Sequence, residues 1–222
     1  MTIATHVREL AGHRLVGVSL GAGLEGDASA KARDLIERAV VALAEAGLGE
    51  DRLVRSRIWA RDASLRRIVS DARIAVLKGD RRAASSSFIA PARLAPGIDA
   101  AIDLVAMEGS GARQLQEYAP AIAPPRFLRR EDLVFLSGIT DTQGAFEAQL
   151  ETVVGLIGQS LTAACTAWGS ILQASAFVHD SVPWRQAHEA IRARFPCPVE
   201  LTLVEGYSAP EKRLEIEVTA RG

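Results

Sequence analysis

The sequence predicts an α+β fold of two domains, each a mostly antiparallel sheet with two helices on one face, and three observations carry that prediction. Apolar residues recur at helical spacing in KARDLIERAVVALAEAGLGE and again in QLETVVGLIGQSLTAACTAW. Each stretch runs into an alternating strand, LVRSRIWARD in the first half and ILQASAFVHD in the second. The order then repeats: aligning Asp62 with Asp180 puts Trp59 on Phe177, Leu53 on Ile171 and Gly47 on Cys165 without a gap.

The elements follow in the same order in both halves. HRLVGVSL and DLVFLSGITD read as opening hairpins. The first long helix carries Leu35, Ile36, Ala39, Val40 and Leu43 on one face and stops at a turn over Gly47 to Gly49. After the central strand comes a second helix, SLRRIVSDARIAVL or PWRQAHEAIRARF. Each half closes with two strands, SSSFIAPAR with AAIDLVAM and VELTLVEG with RLEIEVTA. Between the halves, GSGARQLQEYAPAIAPPRFLRRED has the Gly, Pro and charge content of a linker. The expected division is a domain over 1–108, a linker and entry segment over 109–130, and a domain over 131–222, with the boundary near Gly109 to Gly111.

Composition narrows the function. The 222 residues include 26 basic and 27 acidic side chains, so no electrostatic footprint for nucleic acid or an anionic membrane stands out. There is no run of roughly 20 apolar residues and no basic segment leading an apolar signal core, which makes a soluble cytoplasmic protein the expectation. The two cysteines, Cys165 and Cys197, lack the spacing of a zinc site.

The second half supplies a more specific signal. APAIAPP, DLVFLSGITDT, the long helix, SAFVHD, PWRQAHEAIRARFP and LEIEVTA occur in order from about residue 119 onward. This ordered set resembles the Rid/YjgF proteins, the reactive intermediate deaminases; AEAGLGEDRLVRSRIWARD and IDLVAM carry a weaker likeness in the first half. The resemblance implies chorismate-mutase-like units, a homotrimer, and small-molecule sites in clefts between units. It also implies hydrolysis of an imine or enamine, such as 2-aminoacrylate, with no metal or organic cofactor. That chemistry uses an arginine fork to grip the substrate carboxylate and a fixed carboxylate to orient water and manage protons.

Carried over residue by residue, the resemblance puts the water-orienting glutamate at Glu215. The family's Pro-Ala-Arg matches Pro198-Val199-Glu200, so a carboxylate stands where the arginine is expected, and a small-residue position two further on is Thr202. Pro125 replaces an aromatic residue near the entry; Arg126 and Phe127 follow it as substitutes. Cys197 lies at the strand start beside the implied pocket. In the first half, one alignment sets Arg82 opposite Glu200; the other sets Ser86 there, with Ala101 at the position of Glu215. In either case the carboxylate of that half is lost. The candidate site is therefore catalytic Glu215, with Glu200, Thr202, Arg82, Arg126, Phe127 and Cys197 as substrate-binding residues.

Each residue also has a structural reading. Glu215 fits a solvated strand position, Glu200 a surface pair with Arg192 or Arg194, and Arg82 a charged turn. Cys165 reads as a small core residue, and Trp59, Trp168 and Trp184 as core or interface rings. The Asp of His179-Asp180, matched by Arg61-Asp62, reads as an acceptor of backbone N–H groups. LGAGLEGD lacks the Lys-Ser/Thr of a phosphate loop and reads as a hairpin loop. The functional expectation is an enzyme acting on a small imine, enamine or related carbonyl intermediate by hydrolytic deamination, dehydration or cyclisation. The alternatives are a non-catalytic binding or scaffold protein of the same fold, and a chorismatase-like hydrolase.

Overall fold

A computed structural model describes residues 2–222, and its contacts divide the chain into two compact units that meet at Ser110 and Gly111. The first unit contains β1 (Thr2–Leu10), β2 (His13–Ala22), α1 (Ala28–Glu45), β3 (Leu53–Ala60), α2 (Ala63–Val76), β4 (Ala84–Ile89) and β5 (Ala100–Met107). Its sheet has the order β1-β2-β5-β3-β4, antiparallel except for the β3/β4 pair. The opening hairpin is β1 with β2, so HRLVGVSL is one strand of it. Ala11 and Gly12 make the turn with φ of 54° and 89°, the positive values a two-residue hairpin loop requires.

LGAGLEGD joins β2 to α1 and is not a hairpin loop. Asp99 holds it: the carboxylate accepts the Leu24 N–H at 2.8 Å and the Arg61 Nε–H at 3.1 Å, and Asp27 then caps α1 through the Ala30 N–H. The bond from the Leu24 N–H is the largest influence on Asp99 and, with Arg61, holds its carboxyl below the usual range despite partial desolvation. A depressed carboxylate stabilises the fold above its unfolded pKa, about 3.9, and loses that contribution as pH falls through the lower folded value. Asp99→Asn is therefore expected to reduce stability at pH 7, with the gap to wild type closing below about pH 4. A gap independent of pH in denaturant titrations would refute this.

The second unit contains β6 (Arg113–Gln116), β7 (Phe127–Arg130), β8 (Leu133–Leu136), β9 (Ile139–Thr140), α3 (Phe146–Ala163), β10 (Ile171–His179), α4 (Trp184–Arg192), β11 (Val199–Val204) and β12 (Leu214–Arg221). Its order is β11-β10-β12-β8-β7-β6, with β9 also on β12, and only β10/β11 is parallel. The segment read as linker and entry thus contributes β6 and β7 to this sheet, and the opening hairpin is β7/β8. RQLQ and FLRR are short and rich in polar residues, so their pairing leaves little trace in the pattern of apolar residues.

Alternation sorts each sheet into two faces. In the first unit Val16, Val18, Leu20, Ile58, Ile102 and Leu104 pack under Leu35, Ile36, Ala39 and Leu43 of α1 and Val69 of α2. In the second, Val134, Ala174, Ala176, Ile216 and Val218 pack under Leu150, Val153 and Ile157 of α3 and Ile191 of α4. Each Leu or Ile so buried stabilises by about 1.5–3 kcal/mol, which is why both helices lie on one face.

The internal repeat reaches fine detail. The ladder slips between Leu53 and Arg55 in β3, and at the equivalent Ile171 and Gln173 in β10. Gly47 ends α1 with φ 86°, and Cys165 ends α3 with φ 53°. Both close the same motif, Leu48 N–H to Leu43 O and Thr166 N–H to Leu161 O. Cys165 is consequently exposed and not a core residue. A side chain is strained in this left-handed conformation, so Cys165→Gly is expected to stabilise the chain by about 0.5–1 kcal/mol; an unchanged or lower melting temperature contradicts it.

The aspartate parallel holds on one side only. Asp62 caps α2 through the Leu65 N–H at 2.9 Å, whereas α4 begins after Pro183 and Asp180 lies 3.2 Å from His179 Nδ1. Trp184 is nearly half exposed and stacks on His188, so it is not a core ring.

Candidate active site

The face of the second sheet turned away from its helices carries the candidate site. Ser175 and Phe177 of β10 stand opposite Glu217 and Glu215 of β12 on one side and Glu200 and Thr202 of β11 on the other. Glu215 is also opposite Thr140 of β9. Strand parity puts all these side chains on one face, because Ala176, Leu214, Ile216, Val199 and Leu201 point into or against the helix-side core.

Glu215 is not a solvated strand position: it is 6% exposed, and its neighbour on the same face, Glu217, is 2% exposed. Tyr207, in the loop after β11, is buried nearby and donates its hydroxyl to the Phe177 carbonyl at 2.7 Å. Burial, reinforced by the charge of Glu215, holds the Tyr207 proton well above the ordinary tyrosine range, while Arg213 opposes the shift. Burial also raises Tyr118, with Arg126 opposing and Glu215 reinforcing. Two phenols kept neutral by burial thus share a neighbourhood with the Glu215 carboxylate. Gly138, between β8 and β9, lies against the Glu215 carboxylate, in space that a side chain there would occupy.

The site is anchored through Gln149 of α3, which is fully buried. Its Oε1 accepts the Arg213 N–H at 2.8 Å, and its Nε2 donates to Gly144 O at 3.1 Å and Glu211 O at 2.8 Å. The turn before β12 is therefore tied to α3 two residues ahead of Glu215.

The remaining expected site residues divide. Glu200 is exposed and accepts from Ser175 Oγ at 3.2 Å, while Arg194 pairs with Glu151 instead. Thr202 shares the face of Glu200 and is half-buried. Arg126 is half-buried and donates from Nε to Ser160 Oγ of α3 at 3.1 Å, which turns the guanidinium toward the helix while its charge still reaches Tyr118. Phe127 is a core residue: it packs with Val134 and Leu136 under the helices, so it offers no surface to a ligand. Cys197 packs on the helix side, the face opposite Glu200, and burial pushes its thiol up.

In the first unit the strand register settles the open alignment. Arg57 of β3, equivalent to Ser175, stands opposite Ser86 of β4, so Ser86 and not Arg82 takes the place of Glu200. Arg82 ends the turn before β4, a residue of the first unit, whereas Glu215 belongs to the second. Trp59 stands opposite Ala101, which fills the position of Glu215. Asp103, at the position of Glu217, accepts from Ser19 Oγ and Trp59 Nε1, each at 2.7 Å. Arg93 lies 4.4 Å from the Trp59 ring centroid. Both Asp103 oxygens are engaged, which makes this face a structural counterpart of the second unit's.

Tyr118, Tyr207, Gly138 and Gln149 were not among the residues read from sequence. Only Gly138, in the LSG step, had a signal there, as part of the resemblance. Among the described residues no group of three or more His, Cys, Asp and Glu side chains is arranged to hold a metal ion. No described helix is long and apolar enough to cross a membrane.

No family model and no curated protein matches the chain. Solved structures do. A chorismatase aligns over 97% of this chain and 79% of its own, with 12% identity and a TM-score of 0.70. A YjgF-family protein from Mycobacterium tuberculosis aligns over 50% of this chain and 100% of its own, with 23% identity and a TM-score of 0.45. A Rid-family protein from Yersinia pestis covers the same shares, with 19% identity and a TM-score of 0.45. In fold, then, this chain is a tandem of two α+β units, similar across nearly its whole length to a chorismatase.

Proposed function

We propose that the second unit is a general acid–base catalyst acting on a small unsaturated intermediate, with Glu215 as the proton-handling residue. The observation that supports this most is the burial of Glu215 on the sheet face beside two phenols, Tyr118 and Tyr207, and over a glycine that leaves its carboxylate room. A buried carboxylate flanked by neutral phenols holds or releases one proton at a fixed point, which suits protonation of a double bond or activation of water. Glu200, in the place of the expected arginine, argues for a substrate not gripped there through its own carboxylate. The reading includes a homotrimer in the cytoplasm.

Two substrate classes follow. Imines or enamines come from the Rid resemblance. Chorismate is favoured by one specific observation, the similarity of nearly the whole tandem chain to a chorismatase. The test is turnover of freshly generated 2-aminoacrylate, read as ammonia, and of chorismate, read as its loss, by wild type and Glu215→Gln. Wild-type turnover of one of them, reduced about 10²–10⁴-fold by the substitution, is expected. Turnover of neither supports the non-catalytic alternative and overturns the enzymatic reading.

A further inference from the structure

The second unit has a groove of 450 Å³ on the side of the sheet opposite Glu200 and Glu215, between α4 and the edge strand β11. Ile191 and Phe195 line it from α4 and its exit, and Val199 and Leu201 from β11. This size suits a small organic molecule, about 300–1,000 Å³ being usual. Arg192 and His188 also line it, while no acidic residue does. Arg194, two residues on, is committed to Glu151; Arg192 is exposed and pairs with no carboxylate among the described residues. The His188 ring is kept at the groove by stacking on Trp184, ring centroids 6.0 Å apart.

We propose that this groove is an accessory binding site for a small carboxylate with an apolar aryl or branched-alkyl body. The body lies on Ile191, Phe195, Val199 and Leu201, and the carboxylate meets the Arg192 guanidinium, whose fork matches it. Cys197 forms part of the wall. Burial raises its thiol, which favours the neutral form and suits a wall that binds over one that attacks the ligand. The site also has a route to the other face. Val199 and Leu201 alternate along β11 with Glu200 and Thr202, and β11 is bonded on one side only, to β10. A ligand packed on the first pair therefore lies against the strand that carries the second. The binding claim does not depend on Glu215 being catalytic.

The test uses the full chain with Cys165→Ser, so that Cys197 is the one remaining thiol. 3-Phenylpropionate and the matched cation 3-phenylpropylamine are titrated while tryptophan fluorescence is followed; Trp168 contacts Phe195 of the groove at 5.2 Å and reports on it. The rate at which N-ethylmaleimide modifies Cys197 is measured in parallel. Saturable binding of the carboxylate is expected, about tenfold tighter than the amine, with slower Cys197 modification. Arg192→Glu, on an exposed position, should weaken it by about tenfold, and Leu201→Trp should abolish it by filling the groove. Any of three results overturns the proposal: no saturation at millimolar 3-phenylpropionate, equal binding of the amine, or binding that survives Leu201→Trp with Cys197 unprotected. A second copy of the chain seated in the groove would give the first result, together with a dissociation of the assembly in Leu201→Trp.

Discussion

With Glu215 as the proposed proton-handling residue, Gly138→Ala is expected to lower kcat/KM of the proposed activity about 100-fold, while leaving the melting temperature within a few degrees of wild type. A methyl group at Gly138 would lie 2.6 Å from the Glu215 carboxyl carbon and 2.8 Å from its Cγ. Both distances are far inside van der Waals contact, so one group must yield. Gly138 has an ordinary backbone conformation and its obstacle is the end of a flexible side chain, so the carboxylate swings away and the backbone stays. Displacement of a proton donor by about 1 Å is enough to cost two orders of magnitude. The effects of Gly138→Ala and Glu215→Gln should also fail to add, because both remove the same group from the same place. A double variant as additive as two independent sites, or a Gly138→Ala enzyme with full activity, would separate Glu215 from the chemistry.

Gln149→Met is expected to destabilise the second unit by about 2–5 kcal/mol, the largest stability effect anticipated for a single polar residue here. Methionine keeps the length of the side chain but strands the Arg213 N–H and the Gly144 and Glu211 carbonyls, all three now served by one fully buried amide. Gln149→Glu should be worse, since it keeps an acceptor for Arg213 but sets a charge against two carbonyl oxygens. Thermal unfolding and amide exchange of residues 209–216 check this: faster exchange confined to that turn and the start of β12 is expected. Unchanged exchange there would mean that the glutamine is dispensable to the placement of Glu215.

Sequence order and periodicity revealed both helices and the central strands of each unit, because an amphipathic helix and a half-buried strand write their periods directly into the chain. Equating Asp62 with Asp180 even carried Gly47 onto Cys165, which turned out to share one left-handed helix end. The segment from 109 to 130 was less legible. RQLQ and FLRR become strands through pairing with each other and with β8. Arg82 and Ser86 could not be ranked for the same reason: a parallel pair such as β3/β4 has no connecting turn to set its register, and the loops between the halves differ in length.

The candidate site divides in the same way. Glu215 stands out in the sequence as one residue of an alternating strand that closes an ordered set of motifs, but its burial is visible only in the folded structure. Phe127 shows the limit of such reading, since its neighbour Leu128 and not Phe127 shares the face of Phe135, and one residue of parity exchanges core for site. Tyr118, Gly138 and Tyr207 come from separate segments and gather near Glu215 only when β12 is laid between β10 and β9, while Gln149 fastens the turn before β12 to α3. What the sequence determined alone is local: where helices and strands form, which face of each is apolar, and that the pattern occurs twice. What only the tertiary structure decided is which strands are neighbours, in what register, and therefore which side chains meet around Glu215. Those depend on long-range pairing and close packing, which no local periodicity encodes.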